Sequence, residues 1–365
     1  MTAKLVIENL KHKPMRSLLS ILLIGVPVTL ILCIVGLSHG LIEDSQRRTR
    51  GIGADVIVRP PTSSIISLSG APIDQRMVGF LAKQPHVVQA IGIVNVPIEG
   101  VTVGGAGIDL KEFEKMSGAF SYVEGHGFEG PNDVIIDTFY NNQHQKHAGD
   151  TINLLSTQWR ISGIIDGGKG AHILFPIDVL QAKTGNSAKV SQIYLKLDDP
   201  AHADAVIKAL KEKLEDYKIY TTEEFASLLN VNNIPGLRPF LIVIMSIAVI
   251  IGFAVVCLSM YMAVLQRTRE IGILKSLGAS KAFILRIILA EAVAMGIGGT
   301  ILGILMSYGA YWLIQKLVPA SFPMVIVQSW WLNAGAITLV GTTLGALYPG
   351  LSAASHDPIE ALAYE

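Results

Sequence analysis

The stretch Gln266–Glu291, QRTREIGILKSLGASKAFILRIILAE, holds the residue types best suited to engage a partner. Arg267, Arg269, Lys275, Lys281 and Arg286 stand against the early acid Glu270. Ile271, Ile273, Leu274 and Leu277 recur at helical spacing and make an apolar stripe. Gly278 offers a left-handed stop, and Ser280 can cap the helix that follows. The expected element is a short amphipathic helix across the end of a membrane helix. Its chemistry is recognition, receiving force from a partner protein, rather than bond making.

Other reactive types carry less. GGKGAH at 167–172 lacks the G-x-x-x-x-G-K-[ST] spacing that cradles phosphates, so this sequence is not expected to hydrolyse ATP itself. GIGAD at 51–55 and GGAG at 104–107 read as turns, because no helix pattern follows directly. His126, His144 and His147 lack tight metal-ligand spacing and are expected to be solvated loop residues. Glu291 is the one acid inside an apolar segment. A structural role, served by water, Arg286 or a neighbouring helix, is the favoured reading over a functional one. Cys33 and Cys257 fall at different depths of their segments, too far apart to bond. No catalytic pair, metal site or bound cofactor is expected.

Half of the residues are hydrophobic and 16% are charged, below the roughly 25% charged share usual for soluble domains, so a membrane protein is expected. Four segments reach the ~20 apolar residues needed to cross a hydrocarbon core: 17–40, 237–265, 283–315 and 331–353. Pro27 should kink the first. The net charge of zero gives no field for nucleic acid. The first segment is too long for a signal core and reads as an uncleaved anchor, with 1–16 lying on the membrane as an amphipathic interfacial helix. The basic 266–282 loop, against Lys316 alone in the 316–330 loop, puts both termini, including a tail at 354–365, in the cytoplasm. Tyr308, Tyr311, Trp312, Trp330 and Trp331 agree, forming an aromatic belt at the outer face. Arg47, Arg48 and Arg50 argue the other way, but long domains translocate largely regardless of charge.

Residues 41–236 then form one external α+β domain. Two βαβ halves, at about 54–96 and 190–222, suggest a ferredoxin-like sheet with helices on one face, Ile73, Met77, Phe80 and Leu81 making the first helix's apolar side. A β-rich lobe at about 97–185 is expected as an insertion between them. Gly299 with Gly303, and Gly341 with Gly345, place small residues four apart, for bundle packing or a dimer seam.

The stretches QRTREIGILKSLGASKAFILRIILAEA, LGALYPGLSAASHDPIEALAYE and ENLKHKPMRSLLSILLIG, with GADVIVRP and DVIIDTFYNNQHQKHAGDTINLLSTQWRISGIID in the external segment, carry a resemblance over nearly the whole chain. Together they resemble the MacB/FtsX-type permeases of ABC systems. The resemblance implies a four-span permease of the inner (plasma) membrane, working as a dimer with a second permease chain on a pair of ABC ATPase subunits that bind the ATP and magnesium. It implies a cytoplasmic coupling helix, by position Arg269, Glu270, Ile271, Gly272, Ile273, Leu274, Lys275, Ser276, Leu277, Gly278 and Ala279. It implies that ATP-driven movement passes to the external domains for efflux, with a periplasmic adaptor or membrane-fusion protein in some members, or for extraction of substrate from the membrane. A separate ATPase subunit is expected. Heme, macrolide or peptide, and lipid-linked cargo stay open. The rival reading is a cell-division-type scaffold that activates an external wall hydrolase and moves no cargo. An intramembrane enzyme would need a catalytic pair that Glu291, Cys257 and Cys33 do not supply at helical spacing.

Overall fold

The computed structural model describes residues 14–61, 63, 73–99, 103–234, 236–317 and 323–355. The interfacial helix expected at 1–16, most of the tail at 354–365 and the middle of the 316–330 loop lie outside the described residues. In chain order the helices are α1 (Pro14–Gly51), α2 (Arg76–Leu81), α3 (Leu110–Ser117), α4 (Thr138–His144), α5 (Ile177–Lys183), α6 (Ala203–Lys213), α7 (Thr222–Leu228), α8 (Leu237–Gln266), α9 (Thr268–Ser276), α10 (Lys281–Leu317) and α11 (Trp330–Ser355), with a 3-10 turn at Pro200–His202. The strands are β1 (Val56–Arg59), β2 (Ile73–Asp74), β3 (Val87–Glu99), β4 (Val103–Ile108), β5 (Tyr122–Gly125), β6 (Asp133–Asp137), β7 (Thr151–Leu154), β8 (Thr157–Ile165), β9 (Ile173–Pro176), β10 (Lys189–Val190), β11 (Gln192–Leu197) and β12 (Lys218–Thr221). These elements divide into two compact units, one holding the chain up to His39 with Gly236–Leu313 and the part from Met324, the other Gly40–Pro235 and Ile314–Pro323.

The first unit is a helical bundle. Helices α1, α8, α10 and α11 are long and apolar enough to cross a membrane. Helix α1 continues through Pro27 and ends at Gly51, eleven residues past the end expected at 40. Nothing in LIEDSQRRTR breaks a helix, and Asp44 pairs with Arg47 and Arg48 at i+3 and i+4. Inside the bundle Ile24 packs with Val256, Met260, Met295 and Ala346, and Val28, Ile31 and Val35 pack with Ala248 and Ala334. Polar side chains join the helices too: Ser20 Oγ and Ser259 Oγ lie 2.6 Å apart, and Thr29 Oγ1 donates to the Gly303 carbonyl at 3.1 Å.

The second unit is built on a mixed sheet in the order β12-β1-β11-β3-β4-β9-β6-β8-β5, with β7 on β8. Its first four strands are mutually antiparallel in the 4-1-3-2 order of a ferredoxin-like half. The β-rich part is no separate sheet. The thirteen-residue β3 pairs with β11 through Val87–Ile93 and with β4 through Val94–Glu99, so one strand carries the ladder across both parts. Strand β1 is buried on both sides, and helices accordingly cover both faces, correcting the one-face expectation. Leu81 of α2 and Leu210 of α6 pack with Val56 and Val58, while Phe113 of α3 and Phe225 of α7 pack with Ile57 and Ile91 on the other side. Ile73 belongs to β2, opposite Val190, rather than to a helix face. The Asp74 carboxylate takes the Arg76 N–H at 2.8 Å, which starts α2 only there.

Strand β6 is pinned at both ends by acids. At its start Asp133 accepts two bonds from Arg160, both at 2.9 Å, and the N–H groups of Glu129 and Gly130. Burial raises this carboxyl's pKa, but the Arg160 hydrogen bond and the two backbone donors outweigh it and hold it down at about 2. The stability this contributes is complete above the ordinary aspartate value near 3.9 and is lost as pH falls through that value toward 2. Acid unfolding of Asp133→Asn is therefore expected to lose its steep component between about pH 4 and 2, which a pH series of thermal unfolding checks. An unchanged slope rules the pair out as its source.

Candidate functional site

Between α8 and α10 the chain turns twice within fifteen residues. Arg267 leaves the helical region at φ −119°, ψ 16°, and Thr268 Oγ1 donates back to the Leu265 carbonyl at 2.9 Å. After α9, Gly278 takes φ +93°. The N–H groups of Gly278 and Ala279 reach the carbonyls of Lys275 and Leu274, both at 3.0 Å, closing the helix C-terminus. Ser280 Oγ then accepts the Phe283 N–H at 3.3 Å as α10 begins.

Helix α9 has a clear inner and outer side. Gly272 is buried, Ile271 packs on the cluster of Ile284, Ile288 and Met260, and Lys275 Nζ donates to the Ala354 carbonyl at 3.1 Å. Arg269, Glu270, Ile273, Leu274, Ser276, Leu277 and Gly278 are exposed, with Ala279 half-buried. Leu277 is the extreme, at 80% exposure, against 36% for Leu274. Leu274 also borders a cleft of about 130 Å³ shared with Val264, Ile271, Ile288, Arg267 and Glu291. There the Glu291 carboxylate, on a side chain 7% exposed, meets Arg267 Nη1 at 3.3 Å. The partner of Glu291 is thus Arg267, at the joint between α8 and α9, rather than Arg286. The pair ties the start of α9 to α10.

The glycines face helices of the same chain. A Cβ on Gly299 would meet Ile24 Cγ2 at 2.4 Å, and one on Gly303 would meet Val28 Cβ at 2.6 Å and the Gly25 carbonyl at 2.9 Å. A Cβ on Gly345 would meet the Phe253 carbonyl at 2.8 Å, whereas one on Gly341 would have more room, with Val249 Cγ1 at 3.9 Å. Absent side chains let α1 approach α10, and α8 approach α11, backbone to backbone.

In the second unit a buried ionic cluster holds the last turns of α1, and nothing in the sequence pattern singled it out. Arg48 Nη1 lies 3.0 Å from Asp44 Oδ2 one turn earlier and contacts His172 Nε2. His172 Nδ1 lies 2.7 Å from Asp137 Oδ2, and Phe139 stacks on the imidazole at 4.3 Å. His172 and Asp137 are 2% and 3% exposed at their side chains. These partners fix a tautomer with Nδ1–H donated to Asp137 and Nε2 accepting from Arg48. Asp137 also caps α4 through the Tyr140 N–H at 2.9 Å. The signal available in the sequence was the i, i+4 spacing of Asp44 and Arg48 within the basic residues that oppose the charge rule. They are engaged here instead, and Arg50 reaches Glu223 at 3.1 Å.

The glycine-rich loop beside this cluster has its lysine engaged as well. Lys169 Nζ donates to the carbonyls of Ser117, Gly118 and Ala119 at 2.9 to 3.0 Å, closing the C-terminus of α3, and the Gly170 N–H reaches the Arg48 carbonyl at 3.1 Å. His126 pairs with Glu129 at 3.4 Å and His144 stacks on Tyr140 at 4.2 Å. These two and His147 do not form a ligand cluster among the described residues.

Comparison with known proteins bears on both units. Two family models match, the MacB-like periplasmic core domain over residues 17–213 and the FtsX-like permease C-terminal over residues 242–358. An uncharacterised ABC transporter permease of Methanocaldococcus jannaschii is 25% identical, across 97% of this chain and 96% of that protein. A macrolide export ATP-binding/permease protein MacB of Psychrobacter cryohalolentis is also 25% identical, across 96% of this chain but 57% of that protein, so the chain spans little more than half that relative's length. The periplasmic region of MacB from Actinobacillus actinomycetemcomitans aligns with a TM-score of 0.37 and 14% identity, over 49% of this chain and 94% of that one. With one family model over more than half of the sequence and a second over most of the rest, this chain belongs to the MacB/FtsX-like ABC transporter permeases, as a multi-pass membrane protein with an external domain.

Proposed function

We propose that this chain is a permease subunit that passes movement from an ABC ATPase on a separate chain, through α9, to the external α/β unit. The movement serves export, efflux or extraction of a substrate from the membrane. Both termini are cytoplasmic in this reading, a second copy of the chain completes a dimer on a pair of ATPase subunits, and ATP and magnesium sit on those subunits. An adaptor would receive the external unit's movement. Support comes from one observation above the others: α9 turns Ile273, Leu274 and Leu277 outward while Gly272 and Ile271 seat it on the spans. A helix resting on lipid head groups would instead bring its basic residues to the charged surface; of the two on α9, Arg269 is exposed but Lys275 is engaged by the Ala354 carbonyl.

The test is crosslinking in native membranes. A photoreactive probe on Leu277→Cys is expected to capture an ABC ATPase subunit, while the same probe on Leu258→Cys, an exposed position in the middle of α8, captures none. Capture of lipid alone at both positions sinks the coupling role of α9.

A further inference from the structure

We propose that His86, Asp198 and His202 form a binding site for a first-row divalent transition metal, zinc being the ion the ligand set suits best. Among the described residues this is the one group of three ionisable side chains whose ligand atoms all lie within 4.8 Å of one another. It was invisible along the chain because His86 precedes β3 while Asp198 follows β11. Only the antiparallel pairing of those strands brings their ends together.

Backbone contacts set the placement before any side chain acts. The Asp198 N–H donates to the His86 carbonyl at 3.0 Å. Asp199 caps the 3-10 turn through the Ala201 N–H at 2.9 Å, and the turn closes with the His202 N–H on the Asp199 carbonyl at 3.0 Å, returning His202 over Asp198. His86 itself takes φ +65°, a left-handed backbone that few residues besides glycine adopt, histidine among those that do. The result is two imidazoles with centroids 4.0 Å apart and one carboxylate between them. Asp198 Oδ2 is 3.0 Å from His86 Nδ1, and Oδ1 is 3.0 Å from His202 Nδ1.

Those separations come close to what a metal needs. Two ligand atoms at about 2.0 to 2.1 Å from a tetrahedral zinc stand roughly 3.3 Å apart. One ligand atom from each side chain lies within 4.8 Å of the others, and the two 3.0 Å contacts go to different carboxylate oxygens, so an ion that takes one oxygen opens one contact slightly and draws the other imidazole inward. Imidazole nitrogen with a carboxylate oxygen favours zinc, copper or nickel over calcium and magnesium, which take oxygen ligands. Two neutral rings and one carboxylate carry a single negative charge, so a divalent ion leaves the site at +1, and the three side chains are each near half exposure, leaving room for a water as fourth ligand. Protons compete for the same nitrogens: the Asp198 carboxylate raises the His202 pKa through its hydrogen bond, so occupancy falls on acidification. A bound ion would tie the start of β3 to the start of α6, across the two halves of the ferredoxin-like part.

The experiment uses the untagged full chain in detergent, stripped with a chelator and titrated with zinc chloride against a chromophoric competitor, with metal content and thermal unfolding read in parallel. The wild-type chain is expected to hold one zinc that His202→Gln and His86→Gln lose, each weakening binding by at least ten- to a hundredfold. Zinc should raise the unfolding midpoint of the wild type only, and millimolar magnesium should not displace it. His147→Gln, altering an exposed histidine elsewhere in the unit, should change nothing. Because the metal-free midpoints of the variants report their folding, equal zinc affinity in wild type and folded His202→Gln overturns the site, and so does a loss shared by His147→Gln.

Discussion

Leu277→Asp is expected to weaken capture of the ATPase subunit by about 30-fold or more, and with it the stimulated ATPase rate of the reconstituted complex. Truncating or charging a central interface anchor costs about 2 kcal/mol or more, which is that factor in affinity. The fold should not notice, because the side chain is 80% exposed and substitutions at such positions usually shift stability by within about 0.5 kcal/mol. Leu274 is a less clean probe, since it also borders the cleft over Arg267 and Glu291. Gly278→Pro acts differently. Proline fixes φ near −65° where the chain needs +93°, so this variant breaks the joint that aims α9 while leaving the outward leucines intact. Both variants should insert into the membrane and both should lose stimulation, because a partner's movement is transmitted only through contacts that differ between its states. Full stimulation in either variant, at wild-type expression, sinks the coupling role.

What the sequence disclosed follows from what is local. The apolar runs, the glycine stop at Gly278 and the cap at Ser280 are short-range signals, and the structure holds Gly278 left-handed and Ser280 on the Phe283 N–H. Alternating strands and their helices likewise carried the ferredoxin-like half. What stayed hidden depends on contacts between distant residues. That β3 bridges two parts of one sheet is a matter of register, which the apolar pattern of VVQAIGIVNVPIE does not specify by itself. Helix α1 passed its expected end because 43–51 is polar, and a hydropathy criterion stops where the lipid would, not where the helix does. Of water, Arg286 and a neighbouring helix as partners for Glu291, the neighbouring chain segment serves: Arg267 arrives from 24 residues earlier across the α8–α9 joint, a choice among alternatives that the sequence leaves open. His172 joins Arg48 across 124 residues, a distance no motif encodes.

Arg48→Met is expected to destabilise the external unit strongly. It removes the one cation among the described residues that touches both Asp44 and His172 and leaves the Asp44 carboxylate, 8% exposed, with the largely solvent-exposed Arg47 and, at 3.7 Å, His172 Nε2. Removing one partner of a buried pair costs about 3 to 5 kcal/mol, because the other charge stays desolvated. For a unit of this size that is a fall of roughly 6 to 20 °C in unfolding midpoint. The control is the double variant Asp44→Leu with Arg48→Met. Removing both charges together avoids the uncompensated carboxylate and should recover most of the loss, so a double variant less stable than the single one refutes the ionic account. The functional consequence separates this cluster from α9. Its contacts hold the last turns of α1 within the external unit, so releasing them should leave ATPase capture and stimulation near wild type while the work done outside the membrane is lost. Loss of both together would mean the cluster only maintains the fold, and retention of both would mean that movement reaches the external unit by another helix.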